Sequence, residues 1–221
     1  MAEAINIRSN HHFSIKVNDL SKRFNREWIF KDLTYSFDSG NVYAITGPNG
    51  SGKSTLLQIL WGQMPPTAGT MTYQSDGKII DAEVVHEHLT IATPYMDLID
   101  EFTLVEQLKF HFNMRTIRDG LSIDQVIDTM YLNDSRHKAI GNFSSGMKQR
   151  VKLGLAFLTK ANVVFLDEPG TNLDSQAFDW YLKMLAGLPG DIVTVIASNQ
   201  PAEYPQNAVK LDILSLKPGY R

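Results

Sequence analysis

The segment Gly47-Pro48-Asn49-Gly50-Ser51-Gly52-Lys53-Ser54, followed by Thr55, has the residue types and spacing to hold phosphate. It fills every fixed position of the Walker A pattern. Its glycines let the backbone turn tightly and bring N–H groups inward, while a following helix would direct its N-terminal end at the same anion. Lys53 is placed to reach the β- and γ-phosphates of a nucleotide, and Ser54 to bind Mg²⁺. A second group lies at Val163-Val164-Phe165-Leu166-Asp167-Glu168, where four apolar residues carry two adjacent carboxylates to a strand end. Charge there is costly unless it is solvated or engaged by ions. Asp167 is the candidate to hold Mg²⁺, directly or through water, and Glu168 to orient and polarise an attacking water. Taken singly, the first group could be a glycine-rich turn without nucleotide and the second an ordinary acidic cap. Together they point to hydrolysis of a nucleoside triphosphate.

The elements that must position these groups are legible in the apolar pattern. Phe13, Ile15 and Val17 alternate as a strand leading to Leu20, and Leu33, Tyr35 and Phe37 repeat the period before a turn at Asp38-Ser39-Gly40. Val42, Tyr43, Ala44 and Ile45 read as a strand buried on both faces. The helix expected over 53–60 places Leu56, Leu57 and Leu60 on one face. Pro65-Pro66 and Gly69 mark an irregular exit, and Ser75-Asp76-Gly77 a hairpin turn between Thr70-Met71-Thr72-Tyr73 and Lys78-Ile79-Ile80. Residues 103–131 change character. Leu104, Leu108 and Phe112, then Ile123, Ile127 and Tyr131, recur at helical spacing. Another helix is expected from Met147 through Val151, Leu155 and Leu158. Residues 163–166 and 192–196 read as buried strands, and Leu211, Ile213 and Leu214 close the chain. Strands alternating with helices around a phosphate loop predict an α/β P-loop fold. The expected parts are a mostly parallel core sheet, antiparallel β elements at the N-terminal end and an inserted helical lobe near 96–158, all within one domain over 1–221.

The 221 residues are 43% hydrophobic, enough to bury one large core. The formal net charge of −3 gives no electrostatic reason to expect nucleic acid as a partner. There is no cysteine, which excludes disulfides and thiolate chemistry. The N-terminal residues Met1-Ala2-Glu3-Ala4-Ile5-Asn6-Ile7-Arg8 lack the features of a secretory leader. No apolar run approaches the ~20 residues that span a bilayer. The expectation is a soluble intracellular protein whose membrane role, if any, requires a partner. His86 and His88 form no convincing ligand pair and are expected at the surface.

Phe143-Ser144-Ser145-Gly146-Met147, continued by Lys148-Gln149-Arg150, resembles the Leu-Ser-Gly-Gly-Gln signature of ATP-binding-cassette transporters. Asp167-Glu168-Pro169-Gly170-Thr171-Asn172-Leu173-Asp174 likewise resembles the segment joining Walker B to the D-loop of that family. The chain is identified on these motifs, their order and its length as similar to the nucleotide-binding subunit. The resemblance implies ATP and Mg²⁺ as ligands and a head-to-tail dimer. ATP would be held by the phosphate loop of one copy and by Ser144, Ser145 and Gly146 of the other. Read without the family, those serines would equally suit a plain helix cap. Phe24 stands where the family places a ring against adenine, with core packing as the alternative. An integral-membrane permease is the implied partner, and the implied location is cytoplasmic, peripheral on the inner face of the cell membrane. Asp97, Leu98, Phe102 and Thr103 are the expected docking groove.

Two departures matter. Tyr95 stands where the family has a glutamine near Mg²⁺ or the water, and a phenol does not reproduce an amide. Gln107, nearby in sequence, is expected on the surface. Asn199 stands where the family has its switch histidine. Its amide can donate to a γ-phosphate but cannot carry an imidazole's proton, so slower or differently controlled turnover is expected. The alternatives are a non-transport cassette ATPase of translation, repair or complex assembly, and a nucleotide-gated module with negligible turnover.

Overall fold

A computed structural model describes residues 12–219. The N-terminal residues read above for a secretory leader lie outside the described residues.

Two sheets enclose one of the two cores. The first is antiparallel, in the order β2-β1-β4-β5, from β1 (Phe13–Phe24), β2 (Glu27–Asp38), β4 (Ala68–Ser75) and β5 (Lys78–Ile79). Its β4–β5 connection is the expected hairpin: Ser75 pairs with Lys78 around Asp76 and Gly77, both at positive φ, as a tight primed turn requires. The second sheet is parallel, in the order β6-β7-β8-β3-β9. It comprises β3 (Val42–Thr46), β6 (Leu89–Ala92), β7 (Val163–Asp167), β8 (Val193–Ala197) and β9 (Val209–Asp212).

Strands β3, β7 and β8 are largely apolar on both faces because both faces of this sheet are covered. Tyr43, Ile45, Val163, Phe165, Val193 and Val195 face a core shared with the antiparallel sheet and helix α1 (Lys53–Leu60). Ala44, Val164, Leu166 and Ile196 face the opposite core, formed with α2 (Leu104–Met114), α3 (Ile123–Thr129), α4 (Ser145–Leu158) and α5 (Ser175–Ala186). Among the described residues, no helix is long and apolar enough to cross a membrane.

Several boundaries differ from the sequence reading, each for a local reason. Gly69 lies inside β4, not in an irregular exit. Tyr131 has φ 54 and leaves α3, although it keeps the helical spacing. Ser145, not Met147, opens α4, because Ser144 caps it by accepting from the Met147 N–H at 3.2 Å. Ile213 and Leu214 belong to a 3-10 turn, which Asp212 starts by accepting from the Leu214 N–H at 3.0 Å. Gln107 is buried, not at the surface, and its Oε1 accepts from the Ile99 N–H at 2.9 Å. His86 is exposed as expected. His88 is half-buried, with Nδ1 2.8 Å from Asn162 Oδ1.

Helix α2 begins with a full capping box: Thr103 accepts from the Glu106 N–H, and the Glu106 carboxylate accepts from the Thr103 N–H. Thr103→Ala is expected to cost about 1 kcal/mol. The check is the midpoint of denaturant unfolding, which should fall while the slope stays constant.

Candidate functional site

Because the second sheet is parallel, the C-terminal ends of its strands share one edge, the place where ligands bind in such folds. β3 leads to the phosphate loop, β8 to Asn199 and β7 to Asp167 and Glu168, and β8 lies between the other two.

The loop is closed by its own groups. Lys53 is 4% exposed, and its Nζ donates to the carbonyls of Gly47 at 3.0 Å and Pro48 at 3.1 Å. Ser51 donates its N–H to the Pro48 carbonyl at 3.2 Å, and its buried Oγ has no partner among the described residues. Gly52 is the residue before α1, at φ 111, and a Cβ there would sit 2.2 Å from Ile29 Cγ2. Both the backbone conformation and the close packing therefore require glycine.

On β7, Asp167 is 2% exposed and its buried Oδ1 has no hydrogen-bond partner among the described residues. Burial pushes its carboxyl above the usual carboxylate range, helped by the charge of Glu168 and opposed by the Ser54 hydroxyl and the Lys53 ammonium. An orphaned carboxylate oxygen beside a hydroxyl is a hard-oxygen donor set of the kind that suits Mg²⁺. Glu168 has φ 44, a left-handed conformation in a non-glycine residue, and its N–H donates to the Ala197 carbonyl at 2.9 Å. Strain of this kind costs about 1–3 kcal/mol and persists only where the surroundings enforce it.

Asn199 meets the loop directly: its Nδ2 donates to Asn49 Oδ1 at 2.8 Å. Tyr95 is 82% exposed and lines a cavity of about 280 Å³ with Asp167, Gln58 and Met96. Phe24 is 44% exposed at the end of β1, with Lys22 Nζ 5.0 Å from its ring centre, so it does not pack into the core.

Ser144, Ser145 and Gly146 lie elsewhere. Ser144 and Ser145 are exposed at the start of α4 and, with Gly146, line a cavity of about 460 Å³ shared with Tyr131, Asn172 and Asp174. No phosphate-loop residue is among its walls. Within one chain the serines and the loop therefore do not form a single pocket.

Two polar residues not singled out as site residues in the sequence connect these parts. Gln149 is buried in α4, and its Nε2 donates to the Pro169 carbonyl at 2.9 Å. Glu203, 1% exposed, accepts from the Gly170 N–H at 3.1 Å. Each acts across a long sequence separation; Gln149 falls in the continuation of the signature-like segment, whereas no local pattern marks Glu203. Among the described residues, no group of three His, Cys, Asp or Glu side chains could hold a metal. A site at Ser54 and Asp167 would therefore draw its remaining ligands from phosphate and water.

Fold and edge together define a P-loop nucleotide-binding protein. Residues 30–171 match the family model for ABC transporters, and the chain belongs to that family. Membership implies ATP and Mg²⁺ as ligands. The chain is 28% identical over 173 residues to Nod factor export ATP-binding protein I of Sinorhizobium fredii, covering 77% of this chain and 50% of that one. It is 28% identical over 168 residues to the ABC transporter ATP-binding protein YybJ of Bacillus subtilis, covering 73% and 74%. The chain spans about half the length of the first curated relatives it matches. Among solved structures, an ATP-binding subunit of an ABC transporter aligns at TM-score 0.74 and 25% identity, covering 90% of this chain and 86% of that one. A putative ABC transporter ATP-binding protein of Pyrococcus furiosus shares the fold at TM-score 0.76 and 20% identity, covering 93% and 100%.

Proposed function

We propose that this chain hydrolyses ATP as the energising subunit of a transporter, docked on a separate membrane permease at the cytoplasmic face. The observation that carries the reading is the shared strand edge, where the Asn199–Asn49 hydrogen bond joins the β8 exit to the phosphate loop beside Asp167 and Glu168. Lys53 and the loop N–H groups bind the phosphates, and Thr55 extends the loop's first helical turn. Ser54 and Asp167 hold Mg²⁺, which when bound neutralises phosphate charge. Glu168 orients the water and takes its proton. Phe24 offers an exposed ring face to adenine. The separation of Ser144, Ser145 and Gly146 from the loop of the same chain favours a composite site, completed by these residues of a second copy placed head to tail. The unit is one domain with a helical lobe near 96–158, and its Tyr95, Asp97, Leu98, Phe102 and Thr103 surface takes the permease.

Steady-state phosphate release from the purified chain tests the enzymatic reading, and isolation of the native complex tests the permease; release indifferent to Lys53→Ala would sink the former. Asn199→His restores a proton-carrying side chain beside Asn49. It is expected to raise the maximal rate severalfold, by up to about tenfold, at unchanged ATP affinity. No increase would remove Asn199 as the limiting feature.

A further inference from the structure

One peptide unit, Pro169–Gly170, is gripped on both sides. Its carbonyl accepts from Gln149 Nε2 at 2.9 Å, and its N–H donates to Glu203 Oε1 at 3.1 Å. Gln149 comes from α4, the helix that Ser144 caps, whereas Glu203 comes from a 3-10 turn at Pro201–Glu203, just past Asn199. The gripped unit follows Glu168 directly, and the Thr171 N–H closes the same turn by donating to the Glu168 carbonyl at 3.1 Å.

Glu203 is an expensive residue to keep here. It is 1% exposed, its Oε2 has no partner, and no Lys or Arg forms an ion pair with it, all among the described residues. Its backbone is fixed as well, because its carbonyl accepts from the fully buried Tyr181 hydroxyl. The fit around the carboxylate leaves no slack: a Cβ on Gly170 would lie 2.4 Å from Glu203 Oε1 and 2.9 Å from Phe178 Cε2. Burying a carboxyl with no cation beside it and with one oxygen left without a partner is costly as a rule, so a side chain with this environment is difficult to explain by stability alone.

We propose that Glu203 is a positioning residue for hydrolysis: with Gln149 opposite, it fixes the Pro169–Gly170 peptide and so holds Glu168 in its left-handed conformation at the site edge. The grip also ties the signature helix and the Asn199 segment to a single peptide, so neither can shift without moving the turn that bears Glu168. Burial raises the Glu203 carboxyl first, and the charges of Glu168 and Asp167 raise it further, against the Ser198 hydroxyl and the Gly170 N–H. A neutral acceptor should therefore serve as well as the acid.

This inference rests on Glu168 being the group that activates water, and the test separates the two. Phosphate release and nucleotide affinity are measured for Glu203→Ala, Glu203→Gln, Gln149→Ala and Glu168→Gln beside the parent. Glu203→Ala is expected to lose about tenfold or more in kcat, with KM and nucleotide affinity within about twofold, the pattern of an interaction needed only in the transition state. Glu203→Gln keeps a carbonyl acceptor for the Gly170 N–H and should recover most of the rate. Should Glu203→Ala fail to fold, Gln149→Ala removes the opposite grip without touching the buried acid and should show the same loss in kcat. Parental turnover in Glu203→Ala with Glu168→Gln inactive overturns the positioning role alone. So do equal losses in the Ala and Gln variants accompanied by weakened nucleotide binding. Parental turnover in Glu168→Gln overturns the hydrolysis reading and this role with it.

Discussion

Glu168→Gln is expected to slow phosphate release by about 10²–10³-fold, corresponding to about 2.7–4 kcal/mol of barrier, while nucleotide binding is kept. The amide has the size and hydrogen-bonding reach of the carboxylate but cannot take a proton from water. The backbone around it should survive, because the N–H that donates to Ala197 and the carbonyl that accepts from Thr171 do not depend on the side chain. Glu168 is half-buried, so no deep packing is lost either. Single-turnover release and equilibrium binding of ATP separate the two effects. An equal loss in both would mean that the substitution has damaged the loop, and an unchanged rate would assign the proton to another group. Asp167 is the competitor to exclude, but its carboxyl is 2% exposed against the half-exposed Glu168, which makes it the poorer partner for incoming water.

The parts of this site that were legible in sequence share one property: their signal is local. Residues 47–54 carry their chemistry in consecutive positions. The helix expected over 53–60 is found with those bounds because Leu56, Leu57 and Leu60 give one buried face directly after Gly52, whose φ of 111 is non-helical. Burial on both faces explains why β3, β7 and β8 were recognisable as largely apolar runs, broken in β8 only by the buried Thr194. The positions misread or passed over are those whose environment the local pattern does not set. Gln107 has the composition of a surface residue, but its amide is spent on the Ile99 N–H in the chain leading to α2. Glu203 and Gln149 differ from solvated residues only through a peptide 33 and 20 positions away. Tyr131 keeps the i, i+4 spacing of α3 and is nonetheless 62% exposed at φ 54, since periodicity does not register where a helix stops. Glu168 is the most consequential case. Its residue type disclosed a carboxylate at a strand end, whereas its left-handed backbone, and hence the need for a gripped turn behind it, appears only in three dimensions.

Lys53→Ala should abolish measurable nucleotide binding, weakening it by about 10²–10³-fold or more, as expected when one partner of a buried, charge-assisted contact is removed. The size of the effect follows from where the ammonium sits. Lys53 is 4% exposed and its Nζ lies within 3.1 Å of the Gly47 and Pro48 carbonyls, inside the ring of backbone groups that must accept a polyanion. No other lysine or arginine lies among residues 47–55 to replace its charge. Removing it also takes the Lys53 donor from the Gly47 carbonyl, while the Pro48 carbonyl keeps the Ser51 N–H, and this costs about 1–3 kcal/mol of fold stability if water does not reach the Gly47 oxygen. Loss of binding and loss of folding must therefore be read apart, and thermal unfolding with and without ATP-Mg²⁺ does so. The parent should gain about 2.7 kcal/mol at a ligand concentration 100 times its Kd. Lys53→Ala should melt somewhat lower than the parent and show no shift with nucleotide. A variant that melts lower yet keeps the full ligand-induced shift would place phosphate recognition in the loop N–H groups and the α1 terminus alone, and would strip Lys53 of the role its position implies.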